Sequence, residues 1–100
     1  MEIKKNRNGS ALTLSLIGKL SIIEAKDLSK VVDEELTDIT ELTLDLKDLT
    51  YVSSAGLRVL LTAQNLMDDA GGNMKLLNVP PIIIDILKLT GFDKFMNIEK

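Results

Sequence analysis

From Ala11 to Leu16 apolar and polar residues alternate, with Leu12, Leu14 and Leu16 on one side and Thr13 and Ser15 on the other. Period two is the pattern of a strand with one buried face, so the three leucines are expected in a core. Asn8-Gly9, just before this run, reads as a two-residue type I′ hairpin turn, because both central residues of that turn need positive φ. Met1 to Arg7 is then the polar partner strand, and Gly18 is expected to end the second strand.

The period changes at Ser21. Ile22, Ala25, Leu28, Val31, Val32 and Leu36 recur at three- and four-residue spacing, which predicts a helix over Ser21–Leu36 with one apolar face. Ser21 and Glu24 have the spacing of a capping box. Alternation returns at Glu41 to Leu46, where Leu42, Leu44 and Leu46 mark another strand, and Leu49, Tyr51 and Val52 carry the apolar pattern through a short connection. Ser53 and Ser54 open a second helix, Ala55 to about Asp69, stopped by Gly71-Gly72. Asn73 to Val79 predicts a short strand. Pro80-Pro81 starts a third helix over Ile82–Leu89, and Thr90-Gly91 ends it before a last turn and a short terminal strand or frayed end. Phe92 and Phe95 read as core plugs beneath that helix.

The order β-β-α-β-α-β-α predicts a small α/β sandwich: a mixed four- to five-stranded sheet, parallel across its helical crossovers, with helices packed on it. At 100 residues this is a single domain, residues 1–100, with no repeat or linker.

Composition narrows the chemistry. The chain has no Cys and no His, so thiolate nucleophiles, disulfides and the commonest general base and metal ligand are all missing. No catalysis, cofactor or metal is expected. Asp68-Asp69 reads as a solvated helix end, since no third ligand accompanies the pair, and no convergent polar cluster for a small-molecule site is visible. The net charge of −3 argues against nucleic acid as a partner. The polar, basic start is unlike a secretory signal and no apolar run is long enough to span a membrane, so no membrane partner and a cytoplasmic location are expected. The negative charge lies in the first half. Residues 1–50 hold seven Lys/Arg against ten Asp/Glu, and residues 51–100 hold five against five.

The most informative stretch runs from Leu44 to Leu61, LDLKDLTYVSSAGLRVLL. A serine at the N-cap accepts from the free amides of the first turn, and that alone accounts for Ser53 or Ser54. The same free amides and the helix dipole also stabilise an anion. A phosphate on a helix-start serine therefore leaves the fold nearly unchanged while adding about −1.5 to −2 charges to the surface. Arg58 is either a solvated residue or a contact to a partner or to that phosphate. The apolar residues on several sides of this helix, Val59 and Leu66 among them, are either core or a partner-facing stripe. Asp33, Glu34 and Glu35 are either a solvated face or part of an acidic rim.

This stretch resembles the signature of the STAS family, and specifically its single-domain bacterial anti-sigma-factor antagonists. The likeness extends to the N-terminal hairpin, the Gly18-Lys19-Leu20 step before the first helix, and the run from Ile86 to Ile98. The resemblance implies that the unphosphorylated protein binds an anti-sigma factor that is also a serine-protein kinase, and so releases a sigma factor. It further implies that the kinase switches binding off by phosphorylating the motif serine, and that a PP2C-type serine phosphatase resets it. Aligned on Gly56-Leu57, the family's usual aspartate falls on Ser53 and its frequent phosphoacceptor serine falls on Ala55. Ser54 matches the remaining serine and is the expected acceptor, with Ser53 second. Ser53, Ser54, Ala55, Gly56, Leu57 and Arg58 are the expected partner-binding residues. The Ala55 departure keeps open a binder that is never phosphorylated. The alternative reading is a STAS interaction module outside sigma control, such as a transport accessory or a signalling-complex subunit.

Overall fold

The computed structural model describes residues 1–99. Its elements follow the predicted order, including the last turn and the short terminal strand, with β4 added: β1 (Glu2–Asn8), β2 (Ala11–Leu20), α1 (Ile22–Glu35), β3 (Glu41–Asp45), β4 (Leu49–Val52), α2 (Ser54–Asp69), β5 (Asn73–Leu77), α3 (Pro81–Thr90), a 3-10 turn (Phe92–Lys94) and β6 (Asn97–Glu99). The sheet therefore has six strands. The segment read as a connection after Leu46 forms β4, which pairs parallel with the end of β2, and the C-terminal run forms β6 against β5.

The main sheet runs in the order β1-β2-β3-β5-β6. β1 is antiparallel to β2, and every other pairing is parallel, as the helical crossovers require. The core is the leucine set foreseen from the alternation. Leu12, Leu14, Leu16, Leu42, Leu44 and Leu46 are all buried, and the buried side chains of α1 (Ala25, Leu28, Val32) and α2 (Leu57, Leu60, Ala63, Met67) belong to the same cluster. α1 packs on α2, and α3 packs on β4. Among the described residues, no helix is long and apolar enough to cross a membrane.

Several local expectations are corrected. The hairpin turn lies one residue later than Asn8-Gly9. Asn8 pairs with Ala11, so Gly9-Ser10 is the loop, with Gly9 at φ +65° and Ser10 outside the positive-φ set. Glycine first and an ordinary residue second is the type II′ pattern rather than type I′. Gly18 does not end β2. At φ +105° it shifts the register between Gly18 and Lys19, and the strand continues to Leu20 as a bulge against β4. The capping box at Ser21 is not made: the Ser21 hydroxyl donates to the Glu24 carboxylate and caps no amide. Ile22 and Phe95, expected in the core, are both 66% exposed, whereas Phe92 does pack against it. β5 stops at Leu77 because Asn78 turns at φ +55°.

Candidate functional site

The junction of β4 and α2 separates the two serines that the sequence left together. Ser53 is the N-cap of α2: its backbone is extended, and its hydroxyl accepts from the amide of Gly56 at 3.0 Å. Its own amide donates to the carbonyl of Leu20 at 2.9 Å, and its carbonyl accepts from Leu57 at 2.9 Å. Ser53 is buried, with each of its polar groups engaged inside the protein. Ser54, one residue on, is the first residue of the helix and is exposed. Helix geometry leaves the amides of Ser54 and Ala55 without intrahelical partners, and the dipole adds positive potential there. The first turn of α2 carries no acidic residue to compete for that potential.

The other expected contact residues also divide by depth. Gly56 and Leu57 are buried, Ala55 is half-buried, and Arg58 is exposed. A Cβ on Gly56 would stand 2.7 Å from Leu20 Cγ and 3.0 Å from the Leu20 carbonyl oxygen. Glycine at this position lets the start of α2 close down on the end of β2. Arg58 lies four residues after Ser54, one helical turn along the same face, so its guanidinium is within reach of a group carried on the Ser54 hydroxyl.

The structure adds a neighbour that periodicity misassigned. Ile22 and Ile23, at the start of α1, are 66% and 71% exposed, and Tyr51 on β4 is 46% exposed. With Ser21 and Ser53 they line a shallow, mostly apolar cleft of about 440 Å³. Three large apolar side chains left in water beside the motif form the kind of patch that marks an interaction surface. The only sequence signal was the Ile22-Ile23 pair: at most one of two adjacent helix residues fully faces the core.

The apolar character of α2 on several sides is mostly core, since Val59 and Leu61 pack against the buried cluster, while Leu66 stays exposed. Sequence reasoning missed Gln64, which is buried on α2 with no partner for its Oε1. Its signal was a polar residue in the stripe Leu57, Leu60, Gln64, Met67.

The STAS domain family model matches residues 2–100. The anti-sigma-B factor antagonist of Bacillus subtilis (strain 168) is 26% identical over 103 residues, covering 99% of this chain and 89% of that protein. Among solved structures, a protein of Thermotoga maritima superposes with a TM-score of 0.90 at 23% identity, covering 98% of this chain and 86% of the other. The Bacillus cell fate determinant SpoIIAA in its phosphorylated form gives a TM-score of 0.73 at 15% identity, covering 99% and 92%.

Proposed function

Because the chain belongs to the STAS domain family, we propose that it is an anti-sigma-factor antagonist whose docking face is switched by phosphorylation of Ser54. The observation that carries this reading is the division between the serines: Ser53 is used up as a buried cap, while Ser54 stands free at a helix start beside an apolar patch. The likeness to the Bacillus subtilis antagonist supports the choice of partner, an anti-sigma factor with serine-kinase activity.

In the unphosphorylated state Ile22, Ile23 and Tyr51 offer apolar area, and Ser54 and Arg58 offer polar contacts around it. In the switching step the Ser54 hydroxyl oxygen takes the γ-phosphoryl group of ATP, its proton is released, and ADP leaves. The product carries about −1.5 to −2 charges at the helix start. The amides of Ser54 and Ala55 and the Arg58 guanidinium stabilise that charge within this chain, so the domain itself changes little. A partner surface seated over the patch instead meets a hydrated dianion, and desolvating it opposes binding. A PP2C-type phosphatase, by hydrolysing the phosphoester, restores the docking state.

The test is incubation with the anti-sigma kinase and ATP, followed by intact mass and a binding measurement. One added phosphate of about 80 Da that disappears in Ser54→Ala, together with weaker binding of the phosphorylated form, is the expected outcome. Incorporation that persists in Ser54→Ala refutes the assignment. A second reading, a constitutive binder that is never phosphorylated, draws on Ala55 in the family's usual acceptor position; tight kinase binding with no phosphate incorporated would favour it.

A further inference from the structure

The apolar cleft beside Ser54 is ringed by cations. Lys19 on β2 is the ladder partner of Tyr51 on β4, so the two side chains project from the same side of the sheet. Lys26 lies one turn along α1 from Ile22 and Ile23, and Arg58 one turn along α2 from Ser54. All three are exposed. Among the described residues, the ion pairs are Lys5–Glu35 and Lys75–Glu99, and none of the three takes part in one. The nearby acids are Glu24, held by the Ser21 hydroxyl, and Asp27, one turn along α1 from Ile23.

α1 and α2 both begin at this cleft, since Ile22 opens one helix and Ser53 caps the other. Each helix start adds about half a positive charge. Three cations and two helix starts against two carboxylates leave the rim positive. The rest of the molecule has the opposite sign. The chain holds 12 Lys/Arg and 15 Asp/Glu, so outside the rim nine cations stand against thirteen acids. On the two helices that frame the cleft, acids gather at the other end: Asp33, Glu34 and Glu35 in α1, Asp68 and Asp69 in α2. The dipole disfavours acids at a helix C-terminus, so helix stability does not account for this polarity.

Resting on the antagonist reading above, we infer that the partner's docking face is an apolar centre ringed by Asp and Glu. Its apolar side chains cover Ile22, Ile23 and Tyr51, and its carboxylates meet Lys19, Lys26 and Arg58. A partner with a basic ring would set like charges against this rim. The same charges give the switch its force. A phosphate on Ser54 brings about −1.5 to −2 charges into the rim, enough to cancel its excess. The partner's carboxylates then meet a surface that no longer attracts them, and salt screens the difference.

The test is stopped-flow association of the full chain with the cognate anti-sigma kinase between about 0.05 and 0.5 M NaCl. The association rate constant is expected to fall at least about tenfold over that range, with a smaller change in dissociation. At low salt, Lys26→Glu is expected to slow association about five- to tenfold. Lys94→Glu makes the same change in net charge and is expected to stay within about twofold. Lys94 precedes Phe95, which lines a cleft with Gln64 and Asp68 at the opposite end of α2. Both lysines are exposed, so neither change threatens the fold. An association rate that ignores salt or rises with it overturns the acidic partner and leaves the antagonist reading standing. So does slowing by Lys26→Glu no greater than that by Lys94→Glu. No complex at any salt concentration overturns the antagonist reading and this inference together.

Discussion

Gly56 lies against the buried side chain of Leu20, with room for a hydrogen and none for a methyl group: a Cβ there would be 2.7 Å from Leu20 Cγ and 2.9 Å from Leu20 Cδ2. Leu20 is fully buried and cannot swing aside into solvent. This contact sets how closely the start of α2 approaches the sheet, and through it where Ser54 stands.

Gly56→Ala therefore sets two effects against each other. Alanine is the better helix former by about 1 kcal/mol. Forcing a methyl into a packed site costs about 1–3 kcal/mol. Contacts under 3 Å to a residue that cannot yield put this site at the upper end, so a net loss of about 1–2 kcal/mol is expected, read as a lower urea midpoint with an unchanged m-value.

Ser53→Ala and Ser54→Ala are expected to behave differently although they are neighbours. Removing the Ser53 hydroxyl leaves the Gly56 amide without its acceptor and costs about 0.5–2 kcal/mol. Ser54 caps nothing, and its change to alanine is expected within about 0.5 kcal/mol of the parent. Equal losses in paired denaturation curves would contradict the division of roles seen in the structure.

Ser54→Asp places a fixed negative charge at the first position of α2, where the first turn has no other acid. The helix dipole favours it by about 0.3–1 kcal/mol at low ionic strength. The expected result is a slightly raised thermal midpoint together with weaker binding to the anti-sigma partner. That combination, greater stability with poorer binding, is what a surface switch produces and a folding defect does not.

Ile23→Ser tests the apolar patch. The side chain is 71% exposed, so stability is expected to fall by no more than about 0.5 kcal/mol. Binding to the anti-sigma factor, measured by calorimetry, is expected to weaken by about tenfold, equivalent to about 1.4 kcal/mol. An unchanged affinity would remove Ile23 from the docking face.

Much of this molecule was legible from periodicity. The leucines at every second position of Leu12–Leu16 and Leu42–Leu46 specified which strand faces are buried, because a strand has only two faces and one-residue slippage exchanges them. The helices, their order and the Ser-Ser start of α2 came from local spacing and capping chemistry. What required the third dimension was depth at the ends of elements. Ile22 keeps the helical spacing of its core-facing neighbours yet lies in water at the first residue of α1. Gly18 carries the mark of a strand end yet continues as a bulge, because β4 returns to pair its Tyr51 and Val52 with Lys19 and Leu20. Ser53 and Ser54 are chemically the same side chain. Only the close approach of Gly56 to Leu20, and the Ser53 amide held by the Leu20 carbonyl, decided that one is buried as a cap and the other is offered to solvent. The cleft around Gln64 obeys the same rule. Its residues come from β3, α2, β5, the turn after α3, and β6, and no local pattern announces a cleft that forms only when the sheet is assembled.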